Sequence, residues 1–182
     1  MLEREIKLSF DSPGQARAAI AAAGATLLHG RRLQQDMLLD SEGQELRGRR
    51  CVLRVRTESG RSLLTFKAPV QAESMKVREE YETVVGDKDV LMRVLEELGL
   101  RVWFRYEKYR EEYAADGVTV ALDETPVGTY IEIEGTEPGI LAMTRALGRT
   151  PADFIVESYR SLFVTRCKTD GLDDTHMLFG DA

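Results

Sequence analysis

CVLRVRTESGRSLLTFK, residues 51–67, reads as two β-strands around a tight turn. Cys51 to Thr57 and Ser62 to Lys67 each alternate, and Glu58-Ser59-Gly60 separates them, the spacing of an antiparallel hairpin. Residues two apart share a strand face, so Arg54 and Arg56 stand together opposite Cys51, Leu53 and Val55. By the same rule Thr65 and Lys67 stand together opposite Leu64 and Phe66. The fold turns on whether that charged face meets solvent or an interior.

The flanking sequence repeats the pattern. Leu2 to Phe10 alternates, with Glu3, Glu5 and Lys7 on one face and Leu2, Arg4, Ile6, Leu8 and Phe10 on the other. Lys76 to Val85 aligns Lys76, Arg78, Glu80 and Glu82. Val102 to Ala114 aligns Lys108, Arg110 and Glu112, Val118 to Asp123 sets Asp123 against Val118, Val120 and Leu122, and Thr129 to Gly135 aligns Glu132 and Glu134. With a further strand at Leu33 to Leu39, this makes about eight strands, several joined as an antiparallel meander. About four helices are predicted: an Ala-rich run from Pro13 to Gly24 capped by Asp11 or Ser12, then Asp87 to Leu98, Pro138 to Leu147, and Pro151 to Arg166. A polar loop, SEGQELRGRR, occupies residues 41–50.

Solvation explains any one charged strand face. It does not explain seven, several mixing both signs while the opposite faces stay apolar and the helices offer apolar stripes to cover them. A sheet covered by helices on its apolar side and closed on itself points the charges inward. The fold class is therefore expected to be α+β, a closed eight-stranded antiparallel barrel with helices packed outside. Residues 1–168 form its single domain, and 169–182, without sustained periodicity, read as a flexible C-terminal tail.

Composition limits the function. The 182 residues carry a net charge of -6, a poor basis for binding nucleic acid or an anionic membrane. Cys51 and Cys167 are far apart, and His29 and His176 are isolated, so neither a disulfide framework nor a zinc site is expected. MLEREIK is charged where a signal peptide is apolar, and no window approaches the length of a membrane span. A soluble, cytoplasmic protein is expected. A homodimer is an open expectation with no motif behind it.

A lumen lined by unpaired charge would be costly, so the charges must meet ions, water and a charged ligand. Carboxylates at Glu3, Glu5, Glu80, Glu82, Asp123, Glu132 and Glu134 suit Mg²⁺ or Mn²⁺, which prefer oxygen ligands. Lys7, Arg54, Arg56, Lys67, Arg78, Lys108 and Arg110 suit an elongated polyanion, with arginine forks matched to phosphate oxygens. Cations and basic side chains on one lining are what phosphoryl chemistry needs.

These residues resemble a known family. Glu3-Arg4-Glu5-Ile6-Lys7 is similar to the ExExK signature of the CYTH superfamily, the triphosphate tunnel metalloenzymes. The resemblance continues in order through LRVR at 53–56, LTFK at 64–67, RxExE at 78–82, KxR at 108–110, LDE at 122–124 and EIE at 132–134, over about residues 1 to 166. Glu157-Ser158-Tyr159 resembles a Ser-Tyr segment of the class IV adenylate cyclase branch. One strand departs: QQDMLLD places Leu38 and Leu39 where many cyclase-like members carry an aromatic pair.

The resemblance implies an eight-stranded tunnel that holds a triphosphate: tripolyphosphate, thiamine triphosphate or ATP. It implies metal ligation by Glu3, Glu5, Asp123, Glu132 and Glu134. Lys7, Arg54, Arg56, Lys67, Arg78, Lys108 and Arg110 would grip phosphate, and Glu80 and Glu82, with Glu5 and Lys7, are the candidate catalytic groups. Three functions are compatible with such a lining: hydrolysis of a triphosphate, cyclisation of ATP with release of pyrophosphate, and non-catalytic binding of a polyphosphate or nucleotide. Hydrolysis is favoured because no dedicated base-reading motif is visible. Trp103 and Phe104 read as packing residues, and Cys51 as a small buried hydrophobe.

Overall fold

The computed structural model describes residues 2–71 and 74–180. Eight antiparallel strands form a closed barrel: β1 (Leu2–Phe10), β2 (Thr26–Ser41), β3 (Val52–Glu58), β4 (Arg61–Lys67), β5 (Lys76–Val85), β6 (Leu100–Ala115), β7 (Val118–Thr125) and β8 (Gly128–Gly135). Their order round the barrel is β1-β5-β4-β3-β2-β6-β7-β8. The 51–67 hairpin has the expected register, with Arg54 opposite Thr65 and Val52 opposite Lys67. Alternation does the rest, sending one face of each strand into the lumen and the other to the outer helices.

Three apolar layers coat the barrel. Helices α1 (Pro13–Ala22) and α4 (Glu137–Ala146) cover Ile6, Leu8, Val120, Leu122, Ile131 and Ile133 with Ile20 and Ile140. A short helix α2 (Glu45–Gly48) lies within the stretch expected as polar loop, and the buried Asp40 carboxylate accepts from the amides of Leu46 and Arg47 at 2.9 and 3.0 Å to hold it. Helix α3 (Lys88–Glu97) lays Leu91, Met92 and Leu95 on Leu39, Leu53, Val55 and Leu64. Helix α5 (Tyr159–Asp170) packs Phe163 and Cys167 against Leu38, Phe104 and Tyr130 at one end of the barrel.

Three expectations change. The strand read at 33–39 runs from Thr26 to Ser41 and pairs along its length with the equally long β6. The helix read at 151–166 is interrupted. A 3₁₀ turn, Pro151–Asp153, gives way to extended backbone in which Ile155 exchanges hydrogen bonds with Lys7 at 3.0 and 2.9 Å. Ser158 then caps α5 by accepting from the Ser161 amide. The stretch expected as a tail folds back: α5 reaches Asp170, and Met177, fully buried, bonds through its backbone to Arg105 and Glu107 of β6. Residues 181–182 of that stretch lie outside the described residues.

Antiparallel closure gives the barrel two distinct ends. Strands β1, β2, β4 and β7 finish at the α5 end, where β3, β5, β6 and β8 begin; the far end collects the opposite termini.

Candidate functional site

The lumen is a continuous cavity of about 1260 Å³. Glu3, Glu5, Lys7, Arg54, Arg56, Lys67, Arg78, Glu80, Glu82, Lys108, Arg110, Glu132 and Glu134 all line it, so the sequence-predicted groups converge. Asp123 sits behind that lining, fully buried beneath Lys108 and Arg110.

Opposite charges on the lining are paired. The Glu3 carboxylate accepts from Lys67 Nζ at 3.0 Å and Arg78 Nε at 2.9 Å. Glu5 bonds to the Lys76 ammonium and lies 3.4 Å from Lys7 Nζ. Arg110 forks onto Asp123 at 2.7 and 2.6 Å and reaches Glu132 at 2.9 Å. Lys67 also meets Glu80 at 2.6 Å, and Thr65 Oγ1 donates to Glu82 at 2.8 Å.

Burial and neighbouring charge tune these groups in opposite directions. Burial alone would raise the carboxyl groups of Glu5 and Glu132, but Lys7 and Lys76 hold the first, and Arg110 and Lys7 the second, below the usual range. Burial presses the ammoniums of Lys76 and Lys108 down to about 8, helped by Lys7 at the first and Arg110 at the second. Glu134 meets no cation within ion-pairing distance among the described residues. Partial burial and the carboxylates of Glu3, Glu132 and Glu5 push it up to about 7.

Two participants escaped the sequence reading, and Tyr159 entered it only through the Ser-Tyr segment at 157–159. Asp36, fully buried on β2, receives Arg56 Nε at 2.9 Å and lies 3.4 Å from Arg54 Nε, fixing both guanidiniums on the wall. Its signal was present, since Gln34, Asp36 and Leu38 share one parity on that strand. Lys76 was placed on the charged face but given no role. Tyr159 donates to Asp123 Oδ2 at 2.7 Å, and the ammoniums of Lys7 and Lys108 stand 5.2 and 5.0 Å from its ring centre. Burial and Asp123 raise its phenol well above the ordinary range.

The two ends differ in sign. Glu82, Glu112 and Glu134 line the far end, toward the C-termini of β5, β6 and β8. Arg47, Arg50 and Arg160, with Glu157 among them, line the α5 end. No helix among the described residues is long and apolar enough to cross a membrane.

The CYTH domain family model matches residues 1–146, all eight strands and α4. The chain belongs to the CYTH family. The chain is 26% identical over 135 residues to a Methanocaldococcus jannaschii protein provisionally named an adenylate cyclase, covering 74% of this chain and 77% of that one. A Vibrio parahaemolyticus structure, also provisionally named an adenylate cyclase, superposes with a TM-score of 0.78 at 18% identity, covering 90% and 98% of the two chains. A Hippeastrum protein, provisionally named an adenylyl cyclase and described as having a dominant triphosphatase activity, superposes with a TM-score of 0.65 at 21% identity, covering 90% and 96%. Both superpositions show a shared fold. Tyr159 and α5 lie beyond the residues that the family model matches, and the hydrogen bond to Asp123 ties Tyr159 to the lumen.

Proposed function

We propose that this chain is a divalent-metal-dependent triphosphatase that holds its substrate along the lumen. The supporting observation is the polarity of the tunnel: a basic entrance, a wall of paired cations, and carboxylates concentrated toward the far end. A polyanion drawn in through Arg47, Arg50 and Arg160 arrives with its terminal phosphate leading. That phosphate then stands nearest Glu3 and Glu134, while the α-phosphate trails toward α5.

A divalent cation fits this donor set. The ligands are all oxygen, as Mg²⁺ and Mn²⁺ require, and the crowded carboxylates that lift Glu134 form an excess of negative charge that such a cation neutralises. No group of three metal-ligating side chains is already assembled among the described residues, because most of these carboxylates are bonded to lysine or arginine. Glu3, Glu5, Glu132 and Glu134 would hold the ion. Asp123 would join them as phosphate takes over Lys108 and Arg110. When bound, the ion would supply Lewis-acid activation of the terminal phosphoryl group.

The chain's own groups would do the remainder. Lys7, Arg54, Arg56, Lys67, Arg78, Lys108 and Arg110 exchange carboxylate for phosphate oxygens and neutralise charge that moves onto the leaving polyphosphate. Asp36 keeps Arg54 and Arg56 aimed through that exchange. Glu80 and Glu82 position the attacking water. Cys51 and Cys167, both free and buried, suit a reducing cytoplasm.

The M. jannaschii relative's name favours a second reading, cyclisation of ATP. Product analysis decides between them. With ATP and Mg²⁺ or Mn²⁺, hydrolysis gives ADP and orthophosphate, whereas cyclic AMP with pyrophosphate and no orthophosphate replaces the triphosphatase reading. Tight binding of tripolyphosphate without turnover would leave only a binding module.

A further inference from the structure

Strand β2 carries a largely buried cation beyond the seven assigned to phosphate. His29 stands opposite Glu112 of β6 and Arg32 opposite Arg110, so β2 takes three steps where β6 takes two, a β-bulge. The bulge sends adjacent arginines to opposite faces. Arg31 lies outside, its guanidinium 3.4 Å from the Tyr109 ring centre and its Nε 2.9 Å from Glu124. Arg32 shares the inward parity of Gln34 and Asp36, and only 15% of its side chain is exposed.

Arg32 ties three strands together. Its Nε donates to Glu58 of β3 at 3.2 Å, and its Nη2 donates to Glu112 of β6 at 2.6 Å. Gln34, also buried, donates its amide to the same Glu58 oxygen. Burial would raise the Glu58 carboxyl, but the Gln34 hydrogen bond and the Arg32 charge hold it below the usual range. Two polar atoms of this group stay open. Nη1 of Arg32 and Oε1 of Gln34 are both buried without a hydrogen-bond partner. Buried polar atoms are nearly always paired, so an open donor and an open acceptor tied to one carboxylate suit a ligand that offers both.

The phosphate at the end of a chain is such a ligand. Its oxygens accept from a guanidinium, and its hydroxyl, when singly protonated, donates to an amide oxygen; an internal phosphate has no such hydroxyl. The place agrees with the chemistry. Arg32 is the ladder neighbour of Arg110, and its partner Glu112 lines the far end of the lumen.

We infer that Arg32 is a further substrate-binding residue, a cation fixed by Glu58 and Glu112 that reads the terminal phosphate and makes the lumen favour triphosphates over diphosphates. The inference deepens the proposed function and rests on its orientation, with the terminal phosphate farthest from α5. A third phosphate reaches Arg32 there, and a second falls one phosphate short.

Affinity for ATP and ADP is measured by calorimetry on the full-length protein in EDTA, so that binding is read without metal-supported turnover. Arg32→Met is expected to weaken ATP about tenfold, the loss of one charge-assisted hydrogen bond, and ADP by about twofold at most. Arg32→Lys keeps a cation between Glu58 and Glu112, which protects the fold, but lacks the guanidinium fork. It should weaken ATP less than Arg32→Met does and again spare ADP. A general disturbance of the barrel would weaken both nucleotides alike. Equal losses on ATP and ADP, or an unchanged ATP affinity in either variant, would overturn the inference. Orthophosphate release from ATP in Mg²⁺ without the ATP-selective loss rejects the role of Arg32 and spares the triphosphatase reading. The selective loss with cyclic AMP in place of orthophosphate does the reverse.

Discussion

At the scale of single residues, Asp36 shows how the lumen is held in shape. Its carboxylate is fully buried between two guanidiniums that also face the cavity. Asp36→Asn leaves those cations without their charged partner, and a loss of about 3–5 kcal/mol of stability is expected in urea denaturation. Burial opposes ionisation of Asp36, but Arg56 and Arg54 prevail and depress its pKa. Its contribution to stability is therefore complete above the ordinary aspartate value of about 4 and disappears as pH falls through the depressed native value. In the wild type, denaturation at decreasing pH should show this acid loss, and Asp36→Asn should flatten it. A variant that keeps the full wild-type slope would show that Asp36 is not the titrating group. Arg110→Ala should lower kcat/KM for the accepted triphosphate by about 10²–10³, the effect of removing one charge-stabilising donor.

The charged faces were legible because period-two alternation is a local property: Arg54 and Arg56 announce one face without knowledge of any partner strand. The function of a charge was less legible. Glu132 and Glu134 look alike in the sequence, yet Arg110 and Lys7 hold one well below the usual range while burial and neighbouring carboxylates push the other up to about 7. That distinction arises only when separate strands meet. Asp36 has Gln34 and Leu38 as its neighbours on the strand face, so no i, i+2 pair of charges marked it in the sequence.

At the scale of elements, long-range pairing overrides local signals. TLLHGRR at 26–32 lacks clean alternation, and it extends because β6 offers a ladder along its whole length. Residues 154–157 lie in a segment with helical start signals, but the Ile155–Lys7 backbone exchange pulls them straight. The return of the C-terminal segment depends on Met177, whose burial beside Phe104 no local period could disclose. Met177→Ala should cost about 2–5 kcal/mol and raise amide exchange along 172–180. Unchanged exchange there would mean that the side chain does not fasten the segment. At the β8–α4 junction, Gly135 has φ 154° and a Cβ would sit 2.4 Å from the Gly117 carbonyl oxygen. Gly135→Ala should therefore lower the melting temperature more than Gly148→Ala, whose added Cβ meets open space.

At the scale of the whole molecule, closure turns seven unremarkable strand faces into one two-signed cavity. Internal ion pairing keeps that cavity folded, and triphosphate with a divalent cation offers both sets of charges new partners together. Mg²⁺ and tripolyphosphate supplied together should stabilise the fold more than the sum of their separate effects, a single ligand at a hundredfold excess over its Kd contributing about 2.7 kcal/mol. Strictly additive melting shifts would show that metal and phosphate do not share the site.

The most direct measurement is ³¹P NMR of ATP turnover by the full-length protein in Mg²⁺ or Mn²⁺. The predicted spectrum gains orthophosphate and ADP, with the metal required and Glu3→Gln losing turnover. Pyrophosphate appearing with cyclic AMP, and no orthophosphate, would contradict hydrolysis at the terminal phosphorus.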